Sequence, residues 1–390
     1  MNKLFFLLFG LILLSAGCAD KAVISPDQDT PVLPDEPYAY HEVKLPSGTN
    51  MGGNVFFDDL DITGAPVNNT RLDITPWGAT LGRVLFYDKN LSLNNTISCA
   101  SCHHQDKAFS DGQQFSTGFQ GRITPRNSMA IINPITQNNL FWDSRSRTIS
   151  DLSLKPVQNH IEMGMENLDL LVTKLEEIPY YKPLFKKAFN SEYVTKERIS
   201  SALSQFIGSI TTSRSRFDQS SVSGFSNFSE LEKLGMNLFN SDKAKCASCH
   251  GGGNMAAQDG PNDPYGGGGA FNSSGVITDL RGATNIGLDL VYRDNGLGDG
   301  RFRIPSLRNI ELTAPYMHDG RFKTLDEVLD HYTSGIKPHK HLDVKFTDGH
   351  GNLKMLNLND LEKKAIIAFL RTLTDKEMTT DPKYSNPFKP

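Results

Sequence analysis

The chain has 390 residues, 38% hydrophobic and 22% charged, with a formal net charge of −4. That length is enough for two domains, and the mild acidity excludes a broad basic face for nucleic acid, so no nucleic-acid partner is expected. Only five residues are cysteine.

At the N-terminus, Lys3 precedes an apolar run from Leu4 to Leu14, followed by Leu14-Ser15-Ala16-Gly17-Cys18. A positive start, a short apolar stretch and small residues mark an export signal over 1–17. The run is too short to span a bilayer, which takes about 20 apolar residues. L-S-A-G-C resembles the lipobox of bacterial lipoproteins, in which the cysteine becomes the lipidated first residue; the alternative is a plain signal peptide with an incidental cysteine. A lipid-anchored envelope protein facing the periplasm is the expectation. Residues 18–40, rich in Pro and Asp, predict a flexible tether.

A first domain is expected over 41–219. Thr75-Pro76 opens a helix through Leu81, Leu85 and Phe86. Thr195 caps a closing helix whose apolar face is Ile199, Ala202, Leu203, Phe206 and Ile210. The Ser/Gly/Asn-rich 220–229 predicts a linker. A second domain, 230–378, opens with a helix at 230–239. It closes with one from Asn359, where Glu362 completes a capping box and Leu361, Ala365, Ala368, Phe369 and Leu373 form the buried stripe. Residues 379–390 form a tail, and 251–269, rich in glycine, an exposed loop. The fold class is mostly α: two helical domains with long irregular loops.

Each half repeats one pattern. LGRVLF (81–86) precedes CASCH at 99–103, and LGMNLF (234–239) precedes CASCH at 246–250. C-x-x-C-H is the attachment sequence of c-type haem: two cysteines fix the porphyrin edge and the next residue gives an imidazole to iron. Composition alone gives about 0.002 copies. A four-cysteine zinc site keeps its pairs roughly 15–20 residues apart, and a redox C-x-x-C wants a thioredoxin-like context; neither suits this spacing. Because an exported chain can also form disulfides, pairing of these four cysteines is a further alternative. Cys99, Cys102, Cys246 and Cys249 are thus expected to bind two covalent haem c groups, with His103 and His250 as iron ligands. What each iron does then depends on its opposite face.

With the ordered landmarks TPRNS, LFWDSR, PVQNHIEMG, RIPSLRNIELTAPYMHDGRF and LDHYTSG, residues 75–375 resemble the bacterial di-haem cytochrome c peroxidases and their MauG-type relatives. The resemblance implies a mostly α fold of two cytochrome c-like haem domains with long irregular loops, and reduction of hydrogen peroxide with a small periplasmic cytochrome or cupredoxin as electron donor. It implies Glu162 as the distal acid–base group, Trp142 as an electron relay between the haems, and a Ca²⁺ held by Asn127 with the carbonyls of Thr313 and Pro315. The family often dimerises, which admits a homodimer. Two positions depart from the reductively activated peroxidases. Phe119 stands where those carry a distal histidine, so the first haem is expected to be open, with His160 as a competing ligand. Tyr332 matches the second haem's distal ligand, as in the MauG type, with Met317, Met355 and His331 as alternatives. Leu152 replaces a distal glutamine. A MauG-type oxidation of a protein substrate is the second reading, and a plain di-haem electron carrier the third.

Overall fold

The computed structural model describes residues 30–47, 73–137, 139–256, 282–348 and 350–388. Cys18, the export signal, and most of the glycine-rich loop lie outside them. The helices are α1 (Pro76–Tyr87), α2 (Ile149–Ser153), α3 (Lys155–Gln158), α4 (Leu168–Glu176), α5 (Tyr181–Phe189), α6 (Lys196–Ser209), α7 (Arg216–Ser221), α8 (Glu230–Phe239), α9 (Leu325–Asp330) and α10 (Asp360–Arg371). Two short antiparallel strands, β1 (Ala283–Thr284) and β2 (Phe302–Arg303), pair with each other. The chain is mainly helical with long irregular connections, as the sequence predicts.

Local chemistry places the main helices. The Thr75 hydroxyl accepts from Gly78 N–H at the start of α1, and Thr195 accepts from Arg198 N–H at the start of α6. Ser229 with Glu232, and Asn359 with Glu362, form capping boxes on α8 and α10. Each box satisfies backbone donors that would otherwise have no partner in the helix.

The tertiary framework is one crossing used twice. α1 packs on α6, and α8 packs on α10. A Cβ on Gly82 would collide with the Ala202 carbonyl and Phe206; a Cβ on Gly235 would collide with the Ala365 carbonyl and Phe369. The glycine of L-G-x-x-L-F therefore lets the backbone of one helix touch the next. Around the first crossing, Leu81, Leu85, Phe86, Ala202, Leu203 and Phe206 are fully buried or nearly so; around the second, Phe239, Ala365, Phe369 and Leu373 are. Each such large apolar side chain contributes about 1.5–3 kcal/mol on burial. Leu361 departs from the predicted stripe: it is 59% exposed, and Ile366, Ile367 and Leu370 fill its place.

Three segments read as loose are packed over their described parts. In the expected tether 18–40, Tyr40 is buried in the first core and its hydroxyl donates to the Lys383 carbonyl at 2.6 Å. The expected tail 379–390 supplies Tyr384 to the same core, and Arg83 donates to the Ser385 carbonyl. In the expected linker 220–229, Phe225 and Phe228 pack against the second core. Composition suggested mobility at these places, but single aromatic anchors with distant partners override it.

Candidate active site

The two CASCH stretches make the same turn. Cys102 N–H donates to the Cys99 carbonyl at 3.1 Å and His103 N–H to the same oxygen at 3.0 Å; Cys249 and His250 do the same with Cys246 at 3.1 and 2.8 Å. One tight 3₁₀ turn thus presents two sulfurs and an imidazole together. None of these four cysteines is joined in a disulfide, so the disulfide alternative is not realised. Among the described residues no three His, Cys, Asp or Glu side chains gather into a metal-holding cluster, which removes the four-cysteine zinc reading.

Both histidines are set as haem ligands would be. His103 Nδ1 lies 2.7 Å from the Phe109 carbonyl, and His250 Nδ1 lies 3.0 Å from that of Pro305. A carbonyl can only accept, so Nδ1 carries the proton and Nε2 keeps its lone pair for iron. Burial holds both imidazoles neutral, lowering His103 and pulling His250 down to about 4. The residues present fit two c-type haems.

Beside the first turn, α3 ends at Asn159, whose backbone carbonyl accepts from the N–H groups of Glu162, Met163 and Gly164. Asn159 Nδ2 donates to Glu162 Oε1 at 2.8 Å and fixes the carboxyl. Burial raises the Glu162 pKa, while the nearby Arg145 guanidinium and the Asn159 bond oppose that rise. Glu162 lies close enough to Cys99 and Cys102 to act on both electrostatically, so the carboxyl stands near the first CASCH turn. Phe119 N–H donates to the carbonyls of Ile161 and Glu162 at 2.8 and 2.9 Å. Gly164, at φ +72°, leaves room for the buried Phe119 ring; a side chain there would strike it. Phe119 and Glu162 are therefore joined loop to loop. His160 points elsewhere: its side chain is exposed, and only its backbone carbonyl is engaged, by Arg122. Leu152 is half-buried against the first core.

The second turn opens on a largely apolar cavity. Cys246, Cys249 and His250 line it, with Tyr332 and Met317 among its walls. Burial pushes the Tyr332 phenol well above its usual pKa, and its ring stacks on Phe346 at 5.7 Å. The other expected ligands separate here. His331 Nε2 is occupied 2.9 Å from the Ile286 carbonyl, and neither His331 nor Met355 lines the cavity.

Trp142, Asn127, Thr313 and Pro315 line the same cavity. Trp142 Nε1 donates to the Asn127 carbonyl at 3.0 Å. Asn127 Nδ2 donates to the Gln113 carbonyl at 2.8 Å, which leaves its Oδ1 as the group available to a cation. Oxygen donors of this kind fit Ca²⁺. Sequence reasoning missed three polar residues here: Asn159, Arg145 and Arg303. Only the first had a local signal, as the residue ending a helix.

Comparison with known proteins agrees with this geometry. A family model described as di-haem cytochrome c peroxidase matches residues 76–225. Methylamine utilization protein MauG of Methylophilus methylotrophus is 28% identical over 319 residues, covering 81% of this chain and 87% of its own. Cytochrome c551 peroxidase of Nitrosomonas europaea is 30% identical, covering 76% and 79%. The crystal structure of a MauG-like protein associated with microbial copper homeostasis superposes with a TM-score of 0.69 at 33% identity, covering 83% of this chain and 96% of that one. The diheme peroxidase BthA of Burkholderia thailandensis shares the fold at 21% identity, TM-score 0.61. With two haem-type turns on one repeated helix crossing, and relatives at about 30% identity over most of its length, this chain belongs to the di-haem cytochrome c peroxidase family of oxidoreductases, which includes MauG.

Proposed function

We propose that the protein reduces hydrogen peroxide to water with electrons from a small redox protein, through two covalently attached haem c groups. Cys99, Cys102 and His103 would hold one haem, which would supply the iron that reacts with peroxide, and Cys246, Cys249 and His250 would hold the other, which would supply a store for one electron. Glu162 takes a proton from the incoming peroxide and delivers it to the departing oxygen. Its carboxyl is partly buried and held by Asn159, and burial raises its pKa, which suits that two-way transfer. Two electrons and two protons from outside convert one peroxide to two waters. Trp142 relays electrons between the halves, and Tyr332 serves as the second haem's distal ligand. Asn127, Thr313 and Pro315 hold Ca²⁺. Lipidation of Cys18 anchors the protein at the membrane facing the periplasm, where a small cytochrome or cupredoxin donates.

The observation that carries this reading is the backbone pairing of Phe119 with the Glu162 loop, which supports the expectation from the resemblance that a side chain unable to ligate iron replaces a blocking histidine. The test is stoichiometric peroxide added to the fully ferric protein without reductant, followed optically and by EPR. Immediate reaction is expected; a lag until one haem is reduced would mean that the first iron is closed at rest.

A second reading is MauG-type oxidation of a protein substrate. Tyr332 in the cavity favours it, because a phenolate favours high iron oxidation states, and so does the 33% identity to a MauG-like protein. A long-lived oxidised state, with no turnover on cytochrome or cupredoxin donors, would select this reading over the first. The di-haem carrier requires protein ligands on both faces of both irons, which Phe119 argues against.

A further inference from the structure

Arg303, on β2, is 8% exposed, and its guanidinium meets only neutral groups: the Phe141 carbonyl at 3.3 Å from Nε, Gln137 Oε1, and the Met129 sulfur at 3.7 Å from Nη2. Among the described residues no carboxylate pairs with it. The contrast with its neighbours is sharp. Buried Arg308 grips Asp218 through two bonds of 2.8 Å, and Arg126 pairs with Asp143 and Asp294. Burial without a counter-charge holds Arg303 down to about 10. A buried cation left alone is a costly arrangement, and such groups are normally paired.

The guanidinium faces the cavity that Cys246, Cys249 and His250 line. Another buried polar group on that cavity lacks a hydrogen-bond partner. His318 is 5% exposed, lies flat on Phe302 with ring centroids 3.6 Å apart, and its Nδ1 has no hydrogen-bond partner. The wall of this largely apolar cavity thus carries a buried guanidinium without a counter-charge and an imidazole nitrogen without a hydrogen-bond partner. A haem attached at Cys246 and Cys249 brings two carboxylates into it.

We propose that Arg303 is the counter-charge for a propionate of the haem held by Cys246 and Cys249, and that the same residue holds the Trp142 segment in place. The proposal rests on the two-haem reading above. The second role is visible directly. Arg303 N–H donates to the Trp142 carbonyl at 2.8 Å, while its side chain reaches the Phe141 carbonyl. Phe141 sits at φ +65°, a left-handed conformation unfavourable for an aromatic residue, so neighbouring contacts must hold it there. Arg303 is a positioning residue: it joins the charge of one haem to the segment that carries Trp142.

The test is a spectroelectrochemical titration of the holoprotein, with haem content by pyridine haemochrome and propionate bending modes by resonance Raman. A fixed positive charge favours the ferrous form. Arg303→Met is therefore expected to shift the second haem's equilibrium toward ferric by about tenfold, 59 mV for one electron, with a smaller change at the first haem. Arg303→Lys keeps the charge and should retain most of the potential, yet move the propionate band because the planar fork is gone. An unchanged second-haem potential in the Met variant, with two haems loaded, overturns the proposal. If the Met variant does not fold, an unmoved propionate band in the Lys variant overturns it. Fewer than two haems per wild-type chain would instead be a failure of the two-haem reading.

Discussion

The two halves use one attachment device and differ in how they finish it. In both, a glycine lets two helices cross, and a 3₁₀ turn presents Cys, Cys and His. In the first half, the carbonyl that orients the histidine is Phe109, six residues away; in the second it is Pro305, 55 residues away. The first half places a carboxyl and an inert ring beside its turn, joined by backbone hydrogen bonds. The second places a buried phenol in an apolar cavity. The repeated framework makes two equivalent seats, and the irregular loops make the seats unequal. A repeated fold can therefore divide labour without altering either crossing.

The largest test of that inequality is Phe119→His. It should close the first iron with a sixth ligand and abolish the direct reaction of the fully ferric protein with peroxide; a persisting high-spin ferric EPR signal would show that position 119 does not govern access. Next, Glu162→Gln should still bind peroxide but slow steady-state turnover by about 10²–10⁴-fold, the usual scale for a lost acid–base group. Near-normal turnover would remove the carboxyl from the chemistry.

Smaller effects probe what the halves share. Gly82→Ala and Gly235→Ala should each cost about 1–3 kcal/mol in chemical unfolding, because the backbone of the facing helix must move. A cost at one glycine alone would show that the two crossings are not equivalent. The smallest effect concerns Arg145, which opposes the burial of Glu162. Because burial raises the Glu162 pKa, the folded protein holds that proton more tightly than the unfolded chain does. This stabilisation is fully present below the ordinary glutamate value and is lost as pH rises through the folded one. Arg145→Gln removes a lowering influence, so the acid limb of kcat/KM should move to higher pH. The shift should be under about one pH unit, since a half-exposed charge is screened.

The helices and their caps were legible because their signals are local: Thr75 before Pro76, Ser229 before Glu232, Asn359 before Glu362. The attachment turns were legible because five adjacent letters carry the chemistry. Glu162 and Tyr332 stood out only through resemblance, since no spacing marks a lone carboxyl or phenol. Tyr40 and Tyr384 read as parts of loose segments because the groups that bury them are remote, the Tyr40 hydroxyl reaching a carbonyl 343 residues along the chain. Arg303 was invisible for another reason: what makes it unusual is a missing counter-charge, and a sequence does not display what fails to gather around a side chain.

The clasp formed by residues 30–40 and 376–388 sets an order of events in biogenesis. Tyr384 and Met378 complete the core around the first turn, and Val32 N–H donates to the Pro387 carbonyl at 2.8 Å. During directional synthesis, the whole second crossing emerges before Tyr384 does. The second half has its own core ready early, while the first stays unfinished until the far end of the chain arrives, a closure of very long contact order. On the two-haem reading proposed above, Cys99 and Cys102 thus belong to the half that is sealed later.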